Sequence, residues 1–156
     1  MKWITREKAK VDRIACPWLI KKFVDKDAEF LFVPKEQVLE TARMENAIPF
    51  DTPGVELTHY KEMEREFVSF DAIIRKYGIR DEPLGELAKI VRGADANIPD
   101  APAESVGLEA AALGFRQIAK DDYDNIRLQF PLYDAFYSYC QLKVGQTCQP
   151  EHSARN

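Results

Sequence analysis

The fold of this chain is decided by one stretch near its start, residues 2–33, which read KWITREKAKVDRIACPWLIKKFVDKDAEFLFV. Residues 2–6 predict a short first strand, and Pro17 suits the first position of a helix, where its missing N–H costs nothing. That helix is expected to run to about Val24 because its apolar residues recur at helical spacing. Residues 28–33 are nearly all apolar, which predicts a strand covered on both faces. Strand, helix and strand in this order predict a βαβ unit with a right-handed crossover.

The remainder of the chain is mostly helical in pattern. A second amphipathic helix is predicted over 35–45, followed by two short extended pieces in 47–60 and a charged solvated loop or helix extension over 61–66. Four further helices are expected, and they run from Ser69 to Gly78, from Pro83 to Gly93, over about 103–119 and over about 122–143, the last kinked or split at Pro131. The predicted class is therefore α/β, with α+β as the alternative: a small N-terminal sheet of βαβ type with a larger helical half packed on it. Residues 1–145 are predicted to form one domain and residues 146–156 a disordered tail.

Composition narrows the classes of function. The chain has 156 residues, a net charge of −4 and a sequence pI of about 5.3, which argues against nucleic-acid binding by this chain alone, because that binding needs a basic surface. No apolar stretch approaches the roughly 20 residues of a membrane helix, so no membrane association is expected. Three cysteines without framework spacing are typical of a reducing compartment and predict a cytoplasmic location.

His59 is the first candidate for chemistry, since the other histidine, His152, lies in the predicted tail. Acidic residues surround it in the sequence, namely Asp51, Glu56, Glu62 and Asp71. Oxygen donors with one imidazole suit Mn, Fe or Zn. In a regular strand over 55–60, however, Glu56 and His59 point to opposite faces, so both ligate one ion only if the strand ends or bulges. A hydrogen-bonded structural histidine is the alternative.

Cys16 is the second candidate, with Asp12 and Arg13 beside it as further catalytic candidates. A thiol at a helix N-terminus is acidified by the helix dipole and by a nearby arginine. The alternative for Cys16 is a small buried residue packed under Trp18. Arg13 and Arg92 are candidates to bind a small oxyanion through forked hydrogen bonds, together with Arg6. Alternatively, Asp12 and Arg13 form an ion pair that holds their loop.

Asp95 follows Gly93 in the stretch VRGAD, so it is either a metal ligand or acid–base group or a cap for the following loop. Glycine-rich phosphate loops, nucleophile elbows, metalloprotease helices and zinc-type cysteine pairs are absent from the sequence. No nucleotide cofactor is therefore expected.

Seven stretches taken together carry a resemblance to a known family. In chain order they are KWITRE, VDRIACPWLIKKFVD, DAEFLFVP, PFDTPGVELTH, SFDAIIRKYGI, IVRGAD and YDAFY. Over residues 2–142 the chain resembles the chromate-resistance protein family, in particular the C-terminal domain of ChrB. The family motif falls on Asp12, Arg13, Cys16, Trp18, Asp51, Glu56, His59, Phe70, Asp71, Arg92 and Asp95.

The resemblance implies a role in chromate-resistance operons. Longer members carry an N-terminal region linked to chromate-responsive transcription, and this chain is expected to be the domain standing alone. The first hypothesis is a metal-dependent domain that handles chromate or the oxidative stress it causes, with redox turnover of superoxide or chromate as its possible enzymatic activity. His59, Glu56 and Asp95 would hold a divalent Mn, Fe or Zn ion, with Asp51 and Asp71 as further possible ligands. The second hypothesis is a non-catalytic oxyanion or metal sensor that acts through a partner, and the third is an interaction domain without a ligand.

Overall fold

The computed structural model of the protein describes residues 1–148. A π-helical turn (Ile20–Val24) follows the first helix and a 3-10 turn (Lys35–Gln37) precedes the second. The strands and helices in chain order are β1 (Lys2–Arg6), α1 (Asp12–Leu19), β2 (Glu29–Val33), α2 (Val38–Glu45), β3 (Ile48–Pro49), β4 (Tyr60–Glu62), β5 (Arg65–Phe67), α3 (Ser69–Lys76), α4 (Glu82–Asp95), α5 (Glu104–Ile118) and α6 (Asp122–Cys148). The predicted mixed fold, a small sheet with a larger helical part, is confirmed.

The βαβ unit is formed as predicted. Strand β1 lies between β2 and β3 and pairs in parallel with both. In this register Trp3 is opposite Phe30 on one side and Ile48 on the other. The first three strands therefore form one parallel sheet whose carboxyl ends lie at the same edge.

The two faces of this sheet pack against different partners. Trp3 belongs to the large core that includes the apolar side of α1, whereas Ile4 packs with Val38 and Ala42 of α2. Because neighbouring side chains of a strand point to opposite faces, α1 and α2 cover the sheet from opposite sides. The prediction that the second strand is covered on both faces is confirmed: Phe30 and Phe32 pack against the large core, and Leu31 and Val33 pack against the cluster on the α2 side. These four side chains are only half-buried, because β2 is an edge strand.

Helix α1 begins at Asp12 rather than at Pro17, so the proline lies inside the helix. Pro17 has no N–H to donate to the carbonyl group one turn earlier, and the helix widens just beyond it into the π-helical turn. There the Asp25 N–H donates to the Ile20 carbonyl at 2.7 Å, which closes the turn. The earlier start puts the Asp12 carboxylate in the first turn of α1.

Helix α6 holds the segment that leads into α1. The Asp122 carboxylate accepts the N–H groups of Lys8 (2.9 Å) and Ala9 (2.7 Å). The Tyr133 hydroxyl donates to the Val11 carbonyl at 3.3 Å. These bonds determine where α1 begins and hence where Asp12 points.

Residues 60–67 form a β-hairpin, which the prediction of a solvated loop or helix extension missed. Tyr60 pairs with Phe67 and Glu62 with Arg65 in antiparallel register. The two turn residues have φ values of 51° and 62°, as a tight two-residue hairpin turn requires. Charged residues dominate this stretch because most of its side chains are exposed.

The helical half is built on α4. The prediction that Gly93 ends this helix is wrong, since α4 continues to Asp95. Gly93 instead lets α5 approach closely, because an added Cβ would lie only 2.9 Å from the Ser105 Cβ. Helix α6 is not split at Pro131 and extends through Cys148, past the expected end at 143, so residues 146–148 of the predicted tail are helical. The rest of that tail, 149–156, lies outside the described residues.

No helix within residues 1–148 combines the length and the apolar character needed to cross a membrane.

Candidate metal centre

Three carboxylates from distant parts of the chain converge on one imidazole. The Nε2 atom of His59 lies 3.4 Å from Asp12 Oδ2, 3.3 Å from Asp51 Oδ1 and 3.2 Å from Asp95 Oδ2. Asp12 starts α1, Asp51 follows β3 and Asp95 ends α4. We call these four residues the acidic cluster.

Asp12 lies at the bottom of the acidic cluster, with its side chain only 1% exposed. Its carboxylate accepts the backbone N–H groups of Ser69 (2.7 Å) and Phe70 (3.1 Å), the first two residues of α3. N–H groups at a helix N-terminus have no partner within the helix, and the helix dipole favours a negative charge there. Asp12 therefore joins α1 to α3 and keeps a carboxylate directed at His59.

Asp51 is held from several directions. Its backbone has a φ of 49°, in the left-handed region that aspartate tolerates better than most residues. The Ser69 hydroxyl donates to Asp51 Oδ1 at 2.7 Å, while Arg6 Nη2 and Arg13 Nε lie 3.3 and 3.5 Å from Oδ2. The two guanidinium groups balance part of the negative charge of the acidic cluster.

Asp95 and His59 form the solvent side of the acidic cluster. Asp95 Oδ1 accepts the Asp12 backbone N–H at 3.3 Å, which leaves Oδ2 to face the imidazole. The side chains of His59 and Asp95 are 38% and 18% exposed, against 6% or less for the other two members. A ligand or ion reaches the cluster from this side.

The proximity of these groups changes their ionisation. Hydrogen bonds to Asp12, Asp51 and Asp95 raise the pKa of His59 to about 12, so the ring is an imidazolium in the metal-free protein. Burial raises the pKa of Asp12 to about 7. Burial also acts to raise the pKa of Asp51, but the hydrogen bonds from His59 and Ser69 outweigh it and the pKa is lowered.

The donor set suits a divalent metal ion. Asp12, His59 and Asp95 each offer one ligand atom, and these atoms lie within 4.8 Å of one another. Two carboxylates with one imidazole match the preferences of Mn²⁺, Fe²⁺ and Zn²⁺. Only a neutral imidazole can ligate a metal, so a metal ion would have to displace the proton that the His59 ring carries in the metal-free protein.

The structure brings together some of the sequence-predicted ligands and separates others. His59, Asp95 and Asp51 meet as the acidic cluster. Glu56 does not join them: its exposed carboxylate pairs with Lys76 Nζ at 2.8 Å, because it lies on a surface loop. Asp71 is also directed elsewhere, since it accepts two bonds from Arg92, at 2.7 and 3.0 Å, and the Val68 N–H. Glu56 therefore lies outside the group of residues that could hold an ion, and that group includes Asp12 instead.

None of the three predicted oxyanion-binding arginines presents a free guanidinium group: Arg6 donates to the Asp51 carbonyl at 2.9 Å and pairs with its carboxylate. Arg13 donates to the carbonyl groups of Arg6 (3.4 Å), Glu7 (3.1 Å) and Lys8 (3.2 Å) as well as facing Asp51. Arg92 is engaged by Asp71. All three side chains serve to hold backbone and carboxylates in place, and the expected pairing of Arg13 with Asp12 is replaced by its pairing with Asp51.

Cys16 is a packed residue rather than a reactive thiol. It lies inside α1 instead of at its N-terminus, is fully buried, and donates to Asp12 Oδ1 at 3.4 Å. Burial, followed by the negative charges of Asp12 and Asp51, raises the pKa of this thiol well above its usual value. Of the two interpretations of Cys16, the geometry favours packing.

Sequence reasoning missed the way α3 supports the acidic cluster. Ser69, the predicted start of this helix, is its first residue and bonds Asp12 through its N–H and Asp51 through its hydroxyl. The serine at the start of an amphipathic helix could be recognised from the sequence. Its partners, Asp12 and Asp51, could not, because they lie far away along the chain.

Comparisons with known proteins match most of the chain. The family model described as "ChrB, C-terminal domain" matches residues 3–140. "Protein ChrB" of Cupriavidus metallidurans is 33% identical over 123 residues, which cover 77% of this chain and 35% of that relative. The chain thus spans about a third of the length of this curated relative. No solved structure matches the chain.

Proposed function

The chain belongs to the family of ChrB C-terminal domains, and on that premise we propose that it is a metal-binding domain that acts in the handling of chromate or of oxidative stress. A divalent Mn, Fe or Zn ion is its proposed cofactor. Asp12, His59 and Asp95 would hold this ion. The observation that carries the proposal is the convergence of three carboxylates on the Nε2 atom of His59 within 3.4 Å.

The charge of the site would change when a metal binds. In the metal-free protein the three carboxylates are balanced by Arg6, Arg13 and the His59 imidazolium. A divalent ion that displaces the ring proton would leave one net positive charge, and the occupied site would then attract small anions such as chromate or superoxide. Asp51 takes no ligand position in this arrangement. It orients Ser69 and the two arginines. Its negative charge also offsets the positive charges of the arginines, which would otherwise repel the ion.

The bound ion would supply a Lewis-acidic, and for Mn or Fe a redox-active, position open to solvent. The chain's own residues do the rest. Helix α3 holds Asp12 in place through two N–H bonds, and the exposed edge of His59 and Asp95 leaves room for a small anion. Burial of Asp12 and Asp51 excludes water from the opposite side.

A non-catalytic sensor is the second candidate. The matched region makes up only 35% of the relative, which favours a module that reports ligand binding to other segments or partners. A sensor would use the same acidic cluster to bind its ligand but would catalyse no reaction.

Metal analysis of untagged protein tests the proposed site. We expect about one Mn, Fe or Zn ion per chain in the wild type, and a loss of at least tenfold in His59→Ala and in Asp95→Asn. Glu56→Gln is the matched control, because it removes an acidic group close in sequence that pairs with Lys76 at the surface. Full metal content in His59→Ala would refute the site.

Turnover separates an enzyme from a sensor. Metal-loaded wild type is assayed for loss of superoxide and of chromate, with His59→Ala and Glu56→Gln in parallel. Turnover that is lost in the first variant and kept in the second supports an enzyme. Metal content with no turnover supports the sensor.

A further inference from the structure

A cleft of about 390 Å³ lies between the β4–β5 hairpin, α4 and the loop that follows α4. Its size is within the range of pockets that hold small organic molecules. It lies beside the acidic cluster but is a different site: Arg92, which lines the cleft, precedes Asp95 by one turn of α4.

Apolar groups form one part of the cleft. The Phe67 ring lines it from the hairpin, and Ile98, Pro99 and Pro102 line it from the loop. The hairpin ring is held firmly, because it stacks on Tyr60 at 4.9 Å between centroids and lies under the Arg92 guanidinium at 4.8 Å. Tyr60 and Arg92 thus cover the two faces of the ring, and the ring edge forms a preformed apolar wall together with the apolar loop side chains.

Cationic side chains line the cleft from the β4–β5 hairpin and from α4. Arg65 and Phe67 are two residues apart in β5, so they project from the same face of the hairpin, and Glu66 between them also lines the cleft. Lys89 and Arg92 are one turn apart on α4 and share a face. Three cationic side chains consequently line the cleft together with one aromatic ring.

Of these cations, Arg65 is the one left without an acidic partner. Arg92 pairs with Asp71 at 2.7 Å and Lys89 with Glu86 at 3.0 Å. Glu62 lies opposite Arg65 in the hairpin register, but its carboxylate pairs with Arg75 instead. Within residues 1–148 no ion pair involves Arg65.

We propose that this cleft binds a small organic anion with a flat apolar body, whose anionic group pairs with Arg65 and whose body lies against the ring edge of Phe67 and against Ile98. A forked guanidinium group suits a carboxylate, and desolvation by the apolar wall strengthens the pairing. Glu64, Glu66 and Asp100 also line the cleft, so we expect a second anionic group on the ligand to weaken binding. The inference goes beyond metal binding, and it needs no ion in the acidic cluster.

Titration of the metal-free protein with 2-naphthoate tests the proposal by amide NMR. We expect saturable shifts in residues 65–67 and 97–102, and an affinity for the uncharged isostere 2-naphthamide that is roughly tenfold weaker. Arg65→Gln should weaken naphthoate binding by the same factor and leave naphthamide binding unchanged.

Lys61→Gln is the matched control, since Lys61 is a cation of the same hairpin that is not among the residues lining the cleft. It should bind naphthoate as the wild type does. Arg65 is exposed, so its replacement is not expected to disturb folding. Absence of shifts, shifts confined to other regions, equal affinity for the two probes, or an unchanged affinity in Arg65→Gln would each overturn the proposal. None of these outcomes depends on whether the acidic cluster binds a metal.

Discussion

The imidazole Nε2 of His59 lies 3.2 Å from Asp95 Oδ2, which joins the loop after β3 to the last residue of α4. This pair forms the exposed edge of a cluster whose other members are buried. Ion pairs close to solvent contribute little to stability on their own. The contact therefore contributes little to holding the fold, and it lies at the solvent side of the proposed metal site.

Removing the buried carboxylate of Asp12 should destabilise the protein. Asp12→Ala leaves the N–H groups of Ser69 and Phe70 without acceptors, and unsatisfied buried groups cost about 1–3 kcal/mol each. We expect urea denaturation to show a loss of about 3 kcal/mol in the free energy of unfolding. Asp27→Ala, at an exposed aspartate, is the control and should change it little. A loss below about 1 kcal/mol for Asp12→Ala would contradict the role of this carboxylate.

The ring of His59 should stay protonated well above neutral pH in the metal-free protein. Its pKa is raised to about 12 in the folded state, first by Asp12, against an ordinary value of 6.5. Since the folded pKa is the higher one, the stability from the charged ring is complete below about pH 6.5. It declines as the pH rises towards 12. The ¹⁵N NMR shifts of the ring should keep their imidazolium values from pH 6 to 9, with only a smaller change as Asp12, whose pKa is about 7, titrates. A full change to neutral-ring values with a midpoint near 6.5 would show that the carboxylates do not hold the proton.

Metal binding should release the proton of His59. Only the neutral ring ligates, so between pH 7 and 9 each unit of pH should raise the apparent Mn²⁺ affinity roughly tenfold. Calorimetry in buffers of different ionisation enthalpy counts the protons, and we expect about one per ion. Glu56→Gln should behave as the wild type, because this residue lies outside the cluster. Affinity that does not change with pH would mean that the imidazole is not a ligand.

Two glycines offer a test of helix packing in the helical half. Gly93→Ala adds a methyl group 2.8 Å from the Ala101 Cβ and 2.9 Å from the Ser105 Cβ, so α4 and α5 must separate. We expect a loss of about 2 kcal/mol in thermal or chemical unfolding. Gly114→Ala is the matched change at a position with no atom within 4 Å, and helix propensity should make it stabilising by about 0.5–1 kcal/mol. Equal effects of the two changes would argue against close α4–α5 packing.

Cys16 should be unreactive in the native protein. Burial raises the pKa of its thiol, and thiolate is the form that reacts. Alkylation by iodoacetamide at pH 8, followed by mass spectrometry of the peptide that contains Cys16, should show labelling only after denaturation. The same peptide from urea-treated protein serves as the reference. Rapid labelling of the folded protein would restore Cys16 as a catalytic candidate.

The order of strands and helices followed from local patterns. Apolar spacing at period 3.6 identified the helices, and the strand over 2–6 was predicted with the bounds that the structure has. Errors arose where tertiary packing opposed the local signal. Pro17 was expected to begin a helix, yet α6 holds the preceding segment so that α1 begins at Asp12. Gly93 was expected to end a helix, yet α4 continues past it, and the lack of a side chain at Gly93 allows Ser105 of α5 to approach closely.

The sequence by itself determined the βαβ start, the helical remainder, the family and the importance of His59 with acidic partners. Only the tertiary structure decided which acids those are. Glu56 is near in the chain but pairs with Lys76 at the surface, whereas Asp12 and Asp95 are distant and meet the imidazole. The reason is physical: local spacing fixes which face of an element a side chain occupies, but contacts between elements depend on how their apolar faces pack, and no short pattern encodes that.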